Sequence, residues 1–332
     1  MIDFLPNIIL ILILLYVLMT LGYVAYSWRQ KQKAEKLVPP RGAFTSISTG
    51  RLHYVDCGSG PAILLVHGLG GNLAHFDCGL IDDLAKDFRV VAIDRPGSGY
   101  SERPASAPAN VRSQARQVAE VIEKLEIDNP LVVGHSLGGA ISLALALEKP
   151  QLVRGLALLA PLALPVKDNP TVFDDYRIGS DYYRRILSWT TAVPHMIRHP
   201  GPVRDQVFGP EDMPPEFAVR GGGLLSLRPD AFYNASRDFQ SSDEDLGGMS
   251  RDYARLAVPV RVLFGKDDRI LDPAHHGELL VRRYPQIGLK LIEGGHMLPL
   301  TRVEDCAAFI RNAYEAMKDR KFISRASPEV YR

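Results

Sequence analysis

Three residue types set far apart in the chain are the chemistry-bearing candidates: Ser136, Asp268 and His296. Ser136 stands in Gly134-His135-Ser136-Leu137-Gly138, after the apolar run "LVV" and before "GGAISLALAL". A serine between glycines at a sharp strand-to-helix turn is held in strained backbone angles, with its hydroxyl presented at the head of a helix. The plainer reading is a helix N-cap. A serine hydroxyl is a poor nucleophile without a base. His296, in "EGGHM", follows the last apolar strand, where Gly294 and Gly295 permit a tight loop. The acid should close the preceding strand, and "VLFGKDDRILDP" offers Asp267, Asp268 and Asp272. Asp268 is favoured by its spacing from Gly265; Asp267 and Asp272 read as turn residues or caps. An acid in that position fixes the imidazole tautomer and stabilises the imidazolium.

Such a nucleophile needs donors where negative charge develops on a carbonyl oxygen. The backbone amide of Leu137 is one candidate, at the start of the helix after Ser136. The amide of Leu69, in "VHGLGG", is the other, with His67 bracing that loop. Asp94, in "DRPGSGYS", reads as a turn lock that accepts backbone amides.

These segments must be brought together by the elements around them. Apolar strands at 62–68, 89–97, 130–136, 153–161, 258–268 and 289–296 alternate with helical patterns at 79–88, 111–127 and 138–150. That alternation predicts an α/β fold, a mostly parallel sheet flanked by helices, with ligands at the carboxyl ends of the strands. A hairpin is expected at "FTSIS" and "RLHYVDCG". Between 162 and 255 no strand pattern occurs, which predicts an inserted helical cap. The expected organisation is therefore an anchor at 1–28, a basic juxtamembrane linker at 29–42, a core at 43–161 and 256–318, the cap at 162–255 and a tail at 319–332. Within the cap, Tyr183, Trp189 and Met196 are candidates for contact with an acyl substrate.

The anchor is read from Phe4–Trp28. No charge occurs from Ile8 to Trp28, and about 21 residues at ~1.5 Å each span roughly 30 Å, a bilayer's hydrocarbon thickness. Tyr23, Tyr26 and Trp28 crowd one end, and Arg29, Lys31, Lys33 and Lys36 follow. A cleaved signal peptide fits poorly, since the start carries Asp3 and no Lys or Arg. The basic flank predicts a single pass through the inner (cell) membrane with the core on the cytoplasmic side, an extracytoplasmic core being the alternative. The tyrosine- and leucine-rich anchor could pair with a second copy as a homodimer, but it has no G-x-x-x-G motif.

The net charge of +1 over 332 residues, with dispersed basic residues, excludes a nucleic-acid partner. Cys57, Cys78 and Cys306 form neither a disulfide framework nor a metal motif. No metal or other cofactor is expected.

"HGLGG", "DRPGSGYS", "GHSLGG", "GKDDRILDP" and "GGHMLPL" stand in the order and spacing of the α/β-hydrolase superfamily, which the chain resembles over about residues 43–318. The resemblance implies an α/β-hydrolase fold and a serine hydrolase. Haloalkane dehalogenases and epoxide hydrolases carry Asp where Ser136 stands, so acyl chemistry is implied. With the anchor and cap, the chain looks like membrane-anchored monoacylglycerol lipases and bacterial lipases or phospholipases, with a lipid ester as substrate. The alternatives are C–C bond hydrolysis, amide hydrolysis or perhydrolysis by the same three residues, or a ligand-binding module without catalysis.

Overall fold

The computed structural model describes residues 4–167 and 170–318, so the expected tail at 319–332 lies outside the described residues. Eight strands form one sheet: β1 (Ala43–Ile47), β2 (Gly50–Cys57), β3 (Ala62–Val66), β4 (Arg89–Ile93), β5 (Leu131–His135), β6 (Gly155–Leu159), β7 (Val260–Gly265) and β8 (Ile287–Ile292). Their spatial order is β1-β2-β4-β3-β5-β6-β7-β8. β2 runs antiparallel to β1 and β4; every other neighbouring pair is parallel. The hairpin pairs Ile47 with Gly50, as its sequence predicts.

The central strands are apolar throughout because both faces are covered. Leu64, Val66, Val132, Leu156, Leu158 and Val262 pack beneath α3 (Val111–Lys124) and α4 (Leu137–Glu148), and the alternate residues Ile63, Leu65, Val133, Ala157 and Leu263 pack against α2 (Leu80–Leu84) and the C-terminal helix. Side chains of a strand point to opposite faces in turn, so one strand serves both layers. This fixes the register, and with it the level at which each strand releases the chain into its loop.

The segment from 162 to 255 is inserted between β6 and β7 and contains no strand among its described residues. Its longer helices are α5 (Asp181–Trp189), α6 (Ala192–Arg198), α7 (Pro229–Ser241) and α8 (Leu246–Asp252). After β7 come α9 (Leu280–Arg283), α10 (Leu298–Thr301) and α11 (Val303–Glu315), the C-terminal helix of the second layer.

The N-terminal helix α1 runs unbroken over Phe4–Leu37. By length and composition it can cross a membrane, and its most apolar window has mean hydropathy 2.7 with none of it buried. The stretch read as a linker from residue 29 is therefore corrected: it is helical through Leu37. Ser27, Lys31, Ala34 and Glu35 recur at helical spacing as less exposed positions, forming a stripe that rests on the cap. Lys31 Nζ pairs with Asp230 Oδ2 at 2.7 Å, and Arg228 Nη1 reaches Glu35 Oε1 at 3.3 Å. The hydroxyl of Tyr100 donates to the carbonyl of Val38, which ties the end of the helix to the core.

Candidate active site

β5 ends in the turn that carries Ser136. Its φ of 55° and ψ of −120° are the strained geometry its sequence predicts. The turn is pinned on both sides: the Ser136 amide donates to the Leu159 carbonyl at 3.0 Å, and the Ser136 carbonyl accepts from the amides of Gly139 and Leu162. A Cβ on Gly134 would lie 2.5 Å from Gly138 O, and one on Gly138 would collide with the carbonyl of Val66. Only glycine lets α4 start so close to β3.

His296 comes from the loop after β8, and Asp268 from the loop after β7. His296 Nε2 lies 3.0 Å from Ser136 Oγ, and His296 Nδ1 lies 2.8 Å from Asp268 Oδ2. The carboxylate accepts from Nδ1–H, which leaves the Nε2 lone pair to accept from the serine hydroxyl. All three residues are buried, at 8%, 4% and 8% exposure in the order Ser136, His296 and Asp268. The structure thus brings the three sequence-selected side chains together from three strand ends. Asp267 is exposed, and Asp272 Oδ1 accepts from the amide of Ala274 as a cap. The cap segment braces the histidine loop: Glu211 Oε2 accepts from Gly295 N at 2.9 Å, and its other oxygen accepts from Arg302 Nε.

Leu69 and Leu137 flank this centre on the β3 loop and at the start of α4. Gly68, immediately before Leu69, comes so near the nucleophile turn that a Cβ there would be 2.9 Å from Ser136 Cβ. His67 braces that loop: Nδ1–H donates to Gly68 O at 2.9 Å, while Nε2 accepts from Arg95 N at 3.0 Å. Burial, and then the nearby Arg95 cation, hold its imidazole well below the usual histidine range, so it stays neutral. Asp94 locks a turn: Oδ1 accepts from Leu73 N, and Oδ2 from Tyr100 N and His53 Nδ1, each at 2.7 Å.

Two residues near the centre carry no role in the sequence reading. His135 Nε2–H donates to the carbonyl of His296 at 3.0 Å, and burial depresses its proton affinity. Arg95 donates from Nε to His67 O and from Nη2 to Gly68 O, at 2.9 and 2.8 Å.

Two of the three cap candidates, Tyr183 and Trp189, fall elsewhere. Tyr183 is 62% exposed, with its ring edge against Tyr182. This corrects its assignment as a substrate contact, since α5 turns that position to the outside. Trp189 lies under Lys31 of α1 at 5.9 Å, and Met196 is half-buried on α6, which also packs on α1. The tyrosine that the cap places over the β3 loop is Tyr176. A Cβ on Gly70 would be 3.6 Å from its hydroxyl, and burial, followed by the Asp175 charge, pushes its pKa up to about 12. Tyr176 packs among Phe173, Phe232 and Phe239.

Among the described residues no cluster of His, Cys, Asp and Glu could hold a metal ion. A hydroxyl, an imidazole and a carboxylate in this chain can move a proton off the hydroxyl as it attacks an electrophilic carbon, and return it to a leaving group.

Known proteins place this geometry. A protein of Mycobacterium tuberculosis without an assigned activity is 28% identical over 291 residues, spanning 85% of this chain and 82% of that protein. A haloalkane dehalogenase from the same organism is 39% identical over 123 residues, 37% of this chain and 43% of the dehalogenase. Among solved structures, a bacterial membrane phospholipase A superposes with a TM-score of 0.68 at 21% identity, over 96% of this chain and 100% of that one. A putative lipase from Acinetobacter baumannii gives 0.65 at 19% identity, over 89% and 97%. The sequence pattern described as the alpha/beta hydrolase fold matches residues 61–303, and the chain therefore belongs to that family and is a hydrolase.

Proposed function

We propose that this hydrolase cleaves carboxylic esters of lipids, monoacylglycerols, lysophospholipids or phospholipids, while anchored in the membrane by α1. Ser136 attacks the ester carbonyl, and His296 takes the hydroxyl proton at Nε2 and then delivers it to the departing alcohol. Asp268 holds the tautomer and stabilises the imidazolium. The amides of Leu69 and Leu137 receive the oxyanion, and water releases the acyl group by the same steps in reverse. The observation that carries this reading is the continuous path from Ser136 Oγ through His296 to Asp268, with links of 3.0 and 2.8 Å.

Two features favour lipid over soluble esters. Ile8 through Leu15 are all exposed, at 48–65%. At about half exposure, each such side chain forgoes roughly half of the ~1.5–3 kcal/mol that full burial gives. Eight of them in water would cost as much as a domain's whole net stability, about 5–15 kcal/mol, so α1 calls for an apolar solvent. The second feature is the likeness, over nearly the whole chain, to a structure described as a membrane phospholipase A. A tether to the bilayer confines the site beside its substrate and raises the local concentration. The basic residues after Trp28 favour a core on the cytoplasmic side.

A C–C bond hydrolase is the second reading. It is favoured by 37% identity over 141 residues to a 2-hydroxymuconate semialdehyde hydrolase of Pseudomonas, 41% of this chain.

The test is a substrate panel in detergent: p-nitrophenyl esters of graded chain length, monoacylglycerols, lysophospholipids and a vinylogous diketone, with Ser136→Ala as the blank. The lipid-ester reading expects the highest kcat/KM on a long-chain ester. Preference for the diketone over every ester would replace it with the C–C reading.

A further inference from the structure

A buried polar cluster joins the cap to the loop that holds Leu69, and the catalytic path just described does not include it. Asp238 is on α7, near the C-terminal end of that helix, and is 1% exposed. Its Oδ2 accepts from Arg95 Nη1 at 2.8 Å and its Oδ1 from Arg103 Nη1 at 2.5 Å. Arg95 is itself wholly buried, and also donates from Nη1 to Gln114 Oε1 at 2.6 Å. Burial weakens the hold of Arg95 on its proton, and Asp238 is the main opposing influence. A guanidinium in that position needs a carboxylate.

The remaining donors of Arg95 show what the pair is for. Nε and Nη2 bind the carbonyls of His67 and Gly68. The carbonyl of Gly68 and the N–H of Leu69 belong to one peptide unit. That unit is planar and trans, so its C=O and N–H point in opposite directions. Fixing Gly68 O from one side fixes the direction of Leu69 N–H on the other. His67 Nδ1–H donates to the same oxygen at 2.9 Å. The amide of Gly71 adds a longer bond to that oxygen, at 3.3 Å. The peptide is therefore held by three donors, and the charged one depends on a carboxylate supplied by the cap.

We propose that Asp238 is a positioning residue for oxyanion stabilisation, acting through Arg95 on the Gly68–Leu69 peptide. The cap then completes the catalytic geometry of the core as well as covering it. This role rests on the ester-hydrolase reading, in which Leu69 N–H meets the oxyanion.

The experiment compares full-length wild type with Asp238→Asn in detergent, and counts active sites with a fluorophosphonate so that kcat refers to folded enzyme only. A misaimed donor should lower kcat per titrated site by on the order of 10- to 100-fold, with KM unchanged. A long-chain trifluoromethyl ketone, which forms a tetrahedral oxyanion on the serine, should bind more weakly by the same factor. The non-hydrolysable ether analogue of the substrate should bind as before. Arg95→Lys, which keeps a cation beside Asp238 but is too short to hold both carbonyls, should reproduce the split. It also replaces Asp238→Asn should that variant fail to accumulate.

Arg103→Gln is the control. It opens the same ion cluster without touching residues 67 and 68, and should lower thermal stability while leaving kcat per site unchanged. Unchanged kcat and ketone affinity in Asp238→Asn, or equal losses in Arg103→Gln, would overturn the positioning role. Wild type that neither reacts with the fluorophosphonate nor turns over an ester would instead sink the ester-hydrolase reading beneath it.

Discussion

Asp268 holds His296 through one carboxylate oxygen while its other oxygen is bound to the backbone. Oδ2 meets His296 Nδ1 at 2.8 Å, and Oδ1 accepts from the amides of Ile270 and Leu271 at 2.8 and 2.9 Å. The carboxylate cannot rotate without losing two hydrogen bonds, so the imidazole is presented in one tautomer and one orientation. Asp268→Asn should lower kcat on p-nitrophenyl esters by about 10,000-fold with little change in KM. Asp267→Ala should leave both constants alone, because its side chain faces solvent. Equal losses in the two variants would move the acid to a different carboxylate.

The nucleophile turn leaves no room at residue 138. Gly138→Ala drives a methyl into the backbone carbonyl of Val66, which cannot move without distorting β3. Overpacking of this kind costs about 1–3 kcal/mol. Denaturant unfolding of the detergent-solubilised protein should show that loss, and an unchanged midpoint would mean that α4 lies farther from β3 than described.

His276 makes stability depend on pH. Its ring is buried, accepts weakly from the amides of Ala163 and Leu164 at Nδ1, and has its pKa lowered from the usual 6.5 to about 3, chiefly by burial. Between those two values the unfolded chain binds a proton that the folded chain refuses. Stability should therefore rise with pH through that window and be complete above about 6.5. One such group contributes a slope of up to about 1.4 kcal/mol per pH unit. Melting temperatures of wild type should drop as pH falls from 7 to 4.5, and those of His276→Gln should drop less steeply. Parallel curves would show that His276 is protonated in the fold.

The state of α1 is open to a direct assay. An anchor should stay in the pellet after alkaline carbonate washing of membranes, and the intact mass of the mature protein should include residues 1–28. Release by carbonate, or a mass beginning near residue 28, would make the segment a peripheral or cleaved element.

How much of this was legible in the sequence follows from the range of each interaction. Ser136, Asp268 and His296 each carry a local signal, an apolar strand followed by a turn with glycine or aspartate, so their meeting could be inferred from strand order. The strands themselves were visible as continuous apolar runs because parallel sheets bury both faces. The cap was legible only as a helical insertion. Which of its aromatic residues face inward depends on how short helices lie on the core: composition singled out Tyr183, which faces solvent, while Tyr176 lies over the β3 loop. The Arg95–Asp238 pair links residues 143 apart and has no motif. Its one trace in the sequence is an acid near Phe232 and Ala235, on the apolar side of α7, where an unpaired carboxylate would be too costly to bury. The docking of α1 was hidden for a similar reason: Ser27, Lys31 and Glu35 look like solvent-facing polar residues until the cap is placed beside them.

The most direct test of the central claim is intact-mass and peptide analysis after reaction with a long-chain fluorophosphonate. One adduct per chain is expected, on Ser136, lost in Ser136→Ala together with ester turnover. An adduct on another residue, or ester hydrolysis that persists in Ser136→Ala, would contradict the assignment of Ser136 as the nucleophile.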